Sequence, residues 1–328
     1  MKKRLMFLAL AAIGLASCNG FKKGPNGLLY NIVSDKSGPS IQPGDFISIN
    51  YIIKNDADSV LQSSYELGLQ SSQLMQKPRS NGDILAGLLY LSEGDSAVIK
   101  TNLDSLTKGQ KRPPGMKGKY IVYDIKVEKV IQKGNLSQEV FMGRCNAYVN
   151  SLSDKIKKQE PVNIKKYIAD KNLKVTTTAS GLNYVITKQF NGPKPATGDT
   201  VVVNYVGYFL NGKLFDTSIK SEAVKGKLPI NPMNPYKPIR FPLGVQGMIA
   251  GWNEGLPLLG KGDKATFVIP SSLAYGEHGN GAVPPFSPLV FDVELVDIIH
   301  PNPNAPKPVV PPMPGQPQPI KMQAAPKK

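Results

Sequence analysis

The residues able to do chemistry in this 328-residue chain gather in its second half. Four blocks stand there in order: VVVNYVGYFLNGKLFDTS from Val201, FPLGVQGMIAGWNEGLPLLGKGDKATFVIP from Phe241, LAYGEHGNGAVPP from Leu273 and PLVFDVELV from Pro288. They hold the only tryptophan, Trp252, with Tyr205, Phe215, Tyr275 and Phe291, and an acid, Asp216, stands directly after Phe215. Taken singly, each has a plain structural meaning. A Phe-Asp pair ends a strand, a lone Trp fills a core, Tyr205 suits a strand, and Tyr275-Gly276 makes a turn. His278 reads as an exposed loop residue and not as a catalyst. The two cysteines, Cys18 and Cys145, do not form a disulfide framework. What needs explaining is the joint occurrence of these residues, and the elements that bring them together.

Those elements come twice. GLLYNIV at Gly27 matches GLNYVIT at Gly181, an offset of 154. The offset holds for Gly38-Pro39 with Gly192-Pro193, Gly44-Asp45 with Gly198-Asp199, Asn50-Tyr51 with Asn204-Tyr205, and Ser64 with Ser218. It then becomes 168, pairing Gly94-Asp95 with Gly262-Asp263 and Val122-Tyr123-Asp124 with Val290-Phe291-Asp292. A self-match at fixed offset marks a repeated structural unit. The second copy is 14 residues longer, and the excess falls between Ser218 and Trp252. Asp199 to Val206 and Ala265 to Ile269 are β-branched runs bounded by Gly-Asp turns, and Leu289 to Ile299 alternates as a strand does. Gly251 to Leu259 has room for one short helix. Each copy is therefore expected to be α+β, with an antiparallel sheet bent over that helix.

Between the copies, Phe141, Cys145, Tyr148, Leu152 and Ile156 recur at helical spacing, which buries Cys145 as an inert thiol. Asn135 with Gln138 suits a helix start, and Pro161 the first turn of a second helix running to about Asp170. Ten of the 29 prolines follow residue 300, so the tail cannot form regular helix or sheet.

The formal net charge is +16, and nearer +13 without Lys2, Lys3 and Arg4. That favours anionic surfaces. No ribonucleoprotein aromatic signature, zinc-finger spacing or basic helix with heptads accompanies it, so nucleic acid is not an expected partner. The run Leu5 to Leu15 is shorter than the roughly 20 residues of a membrane span and has the form of a secretory signal. Leu15-Ala16-Ser17-Cys18 resembles the lipobox of bacterial lipoproteins. The resemblance implies cleavage before Cys18, a lipid on its thiol, and a cell-envelope protein anchored in the membrane and facing the periplasm.

The four blocks, in that order over Gly181 to Ile299, resemble the FKBP-type peptidyl-prolyl cis-trans isomerases. The resemblance implies an enzyme that rotates X-Pro bonds of proline-containing polypeptides in an apolar cleft, with no covalent step and no metal or cofactor. Residue by residue, it implies Trp252 as floor, with Tyr205, Phe215, Val283 and Phe291 as walls. The N–H of Ile249 would take the carbonyl before the proline, and Tyr275 would offer its hydroxyl to the substrate backbone. Asp216 would act electrostatically. Ile239, Phe241 and Met248 would help to line the cleft; Ile239 replaces an aromatic usual in the family, and Met248 a branched aliphatic. The segment from Ile219 to Pro238 is long and rich in Pro, Asn and Lys.

In the first copy the matching positions are Gln62, Leu61, Ile84, Thr107 and Asn81, so the framework survives and the pocket does not. The expected organisation is a lipoprotein signal peptide at 1–18, a degenerate FKBP-like domain at 19–132, a helical linker at 133–177, a catalytic domain at 178–300 and a Pro-rich tail at 301–328. Two activities are compatible with it. One is a foldase for exported proteins. The other is an envelope binding or scaffold module whose catalysis is incidental.

Overall fold

The computed structural model describes residues 20–80, 82–107, 112, 118–231, 233–244 and 247–301. The expected signal segment with Cys18, the residues beyond Pro301, and Asn81 lie outside the described residues.

Both copies build a seven-stranded sheet of the same order. The first runs Lys22–Lys23, Leu29–Ser34, Ser96–Asn102, Tyr120–Ile131, Phe46–Asn55, Val60–Ser63, with Ser71–Leu74 also on Phe46–Asn55. The second runs Thr176–Thr177, Asn183–Lys188, Lys264–Ile269, Leu289–Ile299, Thr200–Phe209, Leu214–Thr217, with Ile239–Pro242 also on Thr200–Phe209. The strand starts keep the two offsets, except that Leu289–Ile299 begins one residue later than Tyr120–Ile131 would place it. Because Ser71 corresponds to Ile239, the inserted length lies wholly within 219–238, a narrower interval than sequence matching allowed. Part of it forms the short helix Lys220–Lys225.

The strand Ser96–Asn102 shows why the alternating pattern folds as sheet. Ala97, Ile99 and Thr101 are buried, and their neighbours are half-exposed. With Leu28, Ile41, Ile47, Leu88, Leu91 and Val127, Ala97 and Ile99 form the core of the first copy. Against this sheet lies the helix Ile84–Leu88, capped by Asp83, whose carboxylate accepts the Ala86 N–H at 3.0 Å. Gly87 allows the close approach, since a Cβ there would sit 2.8 Å from Ile99. Gly255 repeats the device in the second copy, where a Cβ would meet the Phe267 ring at 2.8 Å. One-turn helices at Ser64–Leu67 and Leu103–Thr107 add to the single helix expected.

The repeated Gly-Asp pairs are turn devices. Gly44, Gly94, Gly198 and Gly262 have φ of 96°, 89°, 95° and 93°, a region that side chains avoid. The following Asp45, Asp95, Asp199 and Asp263 are buried. Each carboxylate accepts the N–H three residues back at 2.8 Å, from Gln42, Ser92, Ala196 and Gly260. These pairs therefore report on folding and persist in both copies whatever happened to the pocket.

Two compact units make up the chain. One holds the residues through Lys174 with Tyr208–Phe215 and Val268–Val290; the other holds Val175–Gly207, Asp216–Phe267 and the residues from Phe291 on. In the first unit, the expected pair of linker helices is a single helix, Gln138–Asp170, about 50 Å long at 1.5 Å per residue. Its cap is Ser137, whose Oγ accepts the Val140 N–H at 3.2 Å, and not Asn135. Pro161 lies inside it and has no N–H to offer the Lys157 carbonyl. Both halves are held by packing, which outweighs that loss. Phe141 and Cys145 are buried against Phe46, and Ile164 against Val268 and Val290. Burial pushes the Cys145 thiol pKa up, as an inert core thiol requires. No helix among the described residues is long and apolar enough to cross a membrane.

Candidate active site

Trp252 lies on the short helix Ala250–Gly255 and is 3% exposed. Ile249 precedes it in extended conformation, and its carbonyl accepts the Trp252 N–H at 3.0 Å. The Ile249 N–H itself has no acceptor among the described residues. Three aromatic rings from separate strands surround the indole. Tyr205 meets it edge-on with centroids 5.3 Å apart, Phe291 edge-on at 5.2 Å, and Phe241 tilted at 5.8 Å. Edge-to-face packing of this kind is the preferred aromatic geometry. Phe241 and Phe291 are themselves buried, and Tyr205 is half-buried. The indole Nε1–H is buried without a partner among the described residues. An unsatisfied buried donor costs free energy, and such groups concentrate at functional sites.

Asp216 completes this cluster. Its Oδ2 accepts the Tyr205 hydroxyl at 2.6 Å, and its Oδ1 accepts the Thr217 N–H at 2.8 Å. The strand geometry beneath is fixed by two hydroxyls. Ser218 Oγ accepts the Tyr205 N–H at 2.9 Å, and Thr217 Oγ1 donates to the Tyr205 carbonyl at 2.7 Å. Sequence reading did not assign Thr217 a part, and nothing local marks it. Ser218 was visible only as a repeat match with Ser64, which accepts the Tyr51 N–H at the same 2.9 Å.

The remaining expected residues are placed as follows. Ile239 pairs with Val203, and Ile239, Met248 and Ile249 are half-buried. Phe215, Tyr275 and Val283 belong to the other compact unit. There the Phe215 ring lies 5.0 Å from Phe209, and Val283 is buried and paired with Asn280. Tyr275 is half-buried between Ala274 and Gly276, whose N–H groups both donate to the Ser271 carbonyl, at 3.0 and 2.9 Å. His278 is exposed, as expected. That unit also contains a cavity of about 590 Å³ walled by Tyr65, Val149, Ile156, Phe209 and Phe286, and no expected site residue lines it. Among the described residues no cluster of His, Cys, Asp or Glu is grouped as metal ligands are.

The first copy shows what is lost when the constellation is absent. Tyr51 keeps its place, but its hydroxyl accepts from Gln62 Nε2 at 2.8 Å in place of donating to a carboxylate. Ile84 stands where the indole would be, and Thr107 Oγ1 is spent on its own helix, donating to the Leu103 carbonyl. The sheet is intact, and the aromatic enclosure is not formed.

An antiparallel sheet lies over a short helix, and a buried indole is enclosed by aromatics beside a tyrosine–carboxylate pair. The sequence profile of the FKBP-type peptidyl-prolyl cis-trans isomerases matches residues 192–296. The chain is 31% identical over 242 residues to FKBP-type peptidyl-prolyl cis-trans isomerase FkpA of Aeromonas hydrophila, covering 73% of this chain and 76% of that one. It is 32% identical over 254 residues to FkpA of Escherichia coli K12, covering 77% and 79%. A probable FkpA of Neisseria meningitidis is 47% identical over 133 residues, 40% of this chain and 43% of that protein. The chain belongs to the FKBP-type peptidyl-prolyl cis-trans isomerases, and it is a rotamase.

Proposed function

We propose that residues 178–300 speed proline-limited folding of exported polypeptides by favouring the twisted X-Pro amide in the aromatic site around Trp252. The observation that carries the reading is the buried indole enclosed by Tyr205, Phe241 and Phe291, with Asp216 on the Tyr205 hydroxyl.

The physics is that of resonance. Rotating an amide costs ~18–20 kcal/mol because C–N double-bond character is lost. The twisted amide is less dipolar than the planar one, so an apolar surface favours it relative to the ground state. That is differential binding of the transition state. A barrier lowered by ~5–6 kcal/mol gives about four decades of rate. In this reading the proline ring rests on Trp252, and Phe215, Val283 and Phe291 exclude water from it. The Ile249 N–H, which has no acceptor among the described residues, takes the carbonyl before the proline. Tyr275 donates to the substrate backbone. Asp216 orients Tyr205 and supplies a fixed negative charge beside the amide nitrogen; no proton is transferred.

Within the same proposal, Cys18 carries the lipid and holds the enzyme in the cell envelope facing the periplasm, where exported chains with X-Pro bonds are its partners. Residues 19–132 are a silent FKBP-like domain and 301–328 a spacer. The test is Trp252→Phe in the full chain, which keeps an aromatic filling. Its kcat/KM on a proline tetrapeptide should fall about tenfold with the fold retained by circular dichroism. An unchanged rate would sink the assignment of this site.

The second reading, an envelope binding module with incidental catalysis, is favoured by the first copy. It keeps strand order and Gly-Asp turns while Gln62 and Ile84 replace the site.

A further inference from the structure

One buried acid outside both this site and the Gly-Asp turns has no ion-pair partner among the described residues. Glu160, on the helix Gln138–Asp170, is 9% exposed. A buried carboxylate is costly unless its hydrogen bonds are satisfied. Here a single residue satisfies them. Ser271 donates its N–H to one Glu160 oxygen at 2.5 Å and its Oγ–H to the other at 2.7 Å. Ser271 is 4% exposed, so the contact is screened little by water.

The serine opens the loop that holds two of the proposed substrate contacts. Its carbonyl accepts the N–H groups of Ala274 and Gly276, the two neighbours of Tyr275. The Gly276 carbonyl in turn accepts the Phe286 N–H at 2.8 Å, which closes the loop containing Val283. The same helix reaches that closing residue from one turn earlier, with Lys157 Nζ 4.9 Å from the centre of the Phe286 ring. Both ends of residues 271–286 are therefore held by helix residues three apart, which share a face. The helix lies outside the matched segment 192–296.

We propose that Glu160 is a positioning residue for the isomerase: by clamping Ser271 from the linker helix it holds the loop of Tyr275 and Val283 in the conformation that meets substrate. The inference rests on the reading of Tyr275 as a substrate contact. Glu160 touches no substrate and takes no part in bond rotation. It removes loop motion that binding would otherwise have to freeze. Its loss therefore appears mainly in KM.

The experiment uses the full chain with four variants, Glu160→Ala, Glu160→Gln, Ser271→Ala and Tyr275→Phe, assayed on proline tetrapeptides, with amide hydrogen exchange read over 271–286. Glu160→Ala should lower kcat/KM about tenfold, carried by KM, and speed exchange in the loop. Glu160→Gln keeps an acceptor for the Ser271 N–H and gains a donor for its Oγ, so it should restore activity to within about twofold. Ser271→Ala keeps the N–H bond and should fall between the two. Loss of activity in Tyr275→Phe with none in Glu160→Ala overturns the inference and spares the site. No loss in Tyr275→Phe overturns the site reading, and the inference with it. A Glu160→Ala loss that only tracks the unfolded fraction, with kcat and KM of the folded fraction unchanged, also overturns it.

Discussion

Asp216 accepts two hydrogen bonds, from the Tyr205 hydroxyl and the Thr217 N–H, and its charge is what the first copy lacks. Gln62 occupies the matching position and bonds the matching tyrosine, so geometry alone can be kept without the charge. Asp216→Asn separates the two effects. If the carboxylate charge acts on the twisted amide, kcat/KM should fall about three- to tenfold on tetrapeptides while the fold is unaffected. A variant as fast as the parent would reduce Asp216 to a spacer. Asp199 differs in kind. The Ala196 N–H first, then His300 2.8 Å away, hold its carboxyl below the ordinary carboxylate range. A depressed folded pKa contributes stability that is present above the unfolded value, near 4, and is lost as pH falls through the folded value. His300→Ala should raise that folded value and move the start of acid unfolding to higher pH. Trp252, the only tryptophan, reports it by fluorescence within the same unit.

Among elements, the short helix carrying Trp252 depends on how closely it can approach the sheet. Gly255 sits where a Cβ would meet the buried Phe267 ring at 2.8 Å and Leu182 at 3.3 Å. Both neighbours are fully buried and cannot yield cheaply. Gly255→Ala should therefore cost about 1–3 kcal/mol by thermal unfolding, although alanine is the better helix former. A neutral result would mean the helix can lift without penalty. Element types were legible from sequence because period and turn chemistry are local. The strands fell where β-branched runs stood between Gly-Asp pairs, and the offsets reappeared in the strand starts to within one residue. The linker was legible as helix but not as one helix. Pro161 suits the first turn of a helix and so points to a second helix. Burial of Phe141, Cys145 and Ile164 decides instead, and burial of that kind is a tertiary quantity.

At the scale of the whole chain, the proposed division of labour between the two copies is open to a direct test. Deleting residues 21–132 removes the first sheet and no proposed substrate contact. Tetrapeptide isomerisation should then stay within about twofold of the parent, while refolding of a long proline-limited client should slow if the first copy holds chains. Collapse of both rates together would favour the binding-module reading, in which the first copy is the functional part.

The sequence by itself determined the duplication, the α+β class, the turn carboxylates and the family. Each depends on residue type at fixed local spacing, or on several blocks recurring in order. Only the tertiary structure decided that Tyr205, Phe241 and Phe291 close on one indole, and that a glutamate 111 residues away grips Ser271. Such contacts arise where separate elements pack, and no local propensity encodes which side chains then come within a few ångströms.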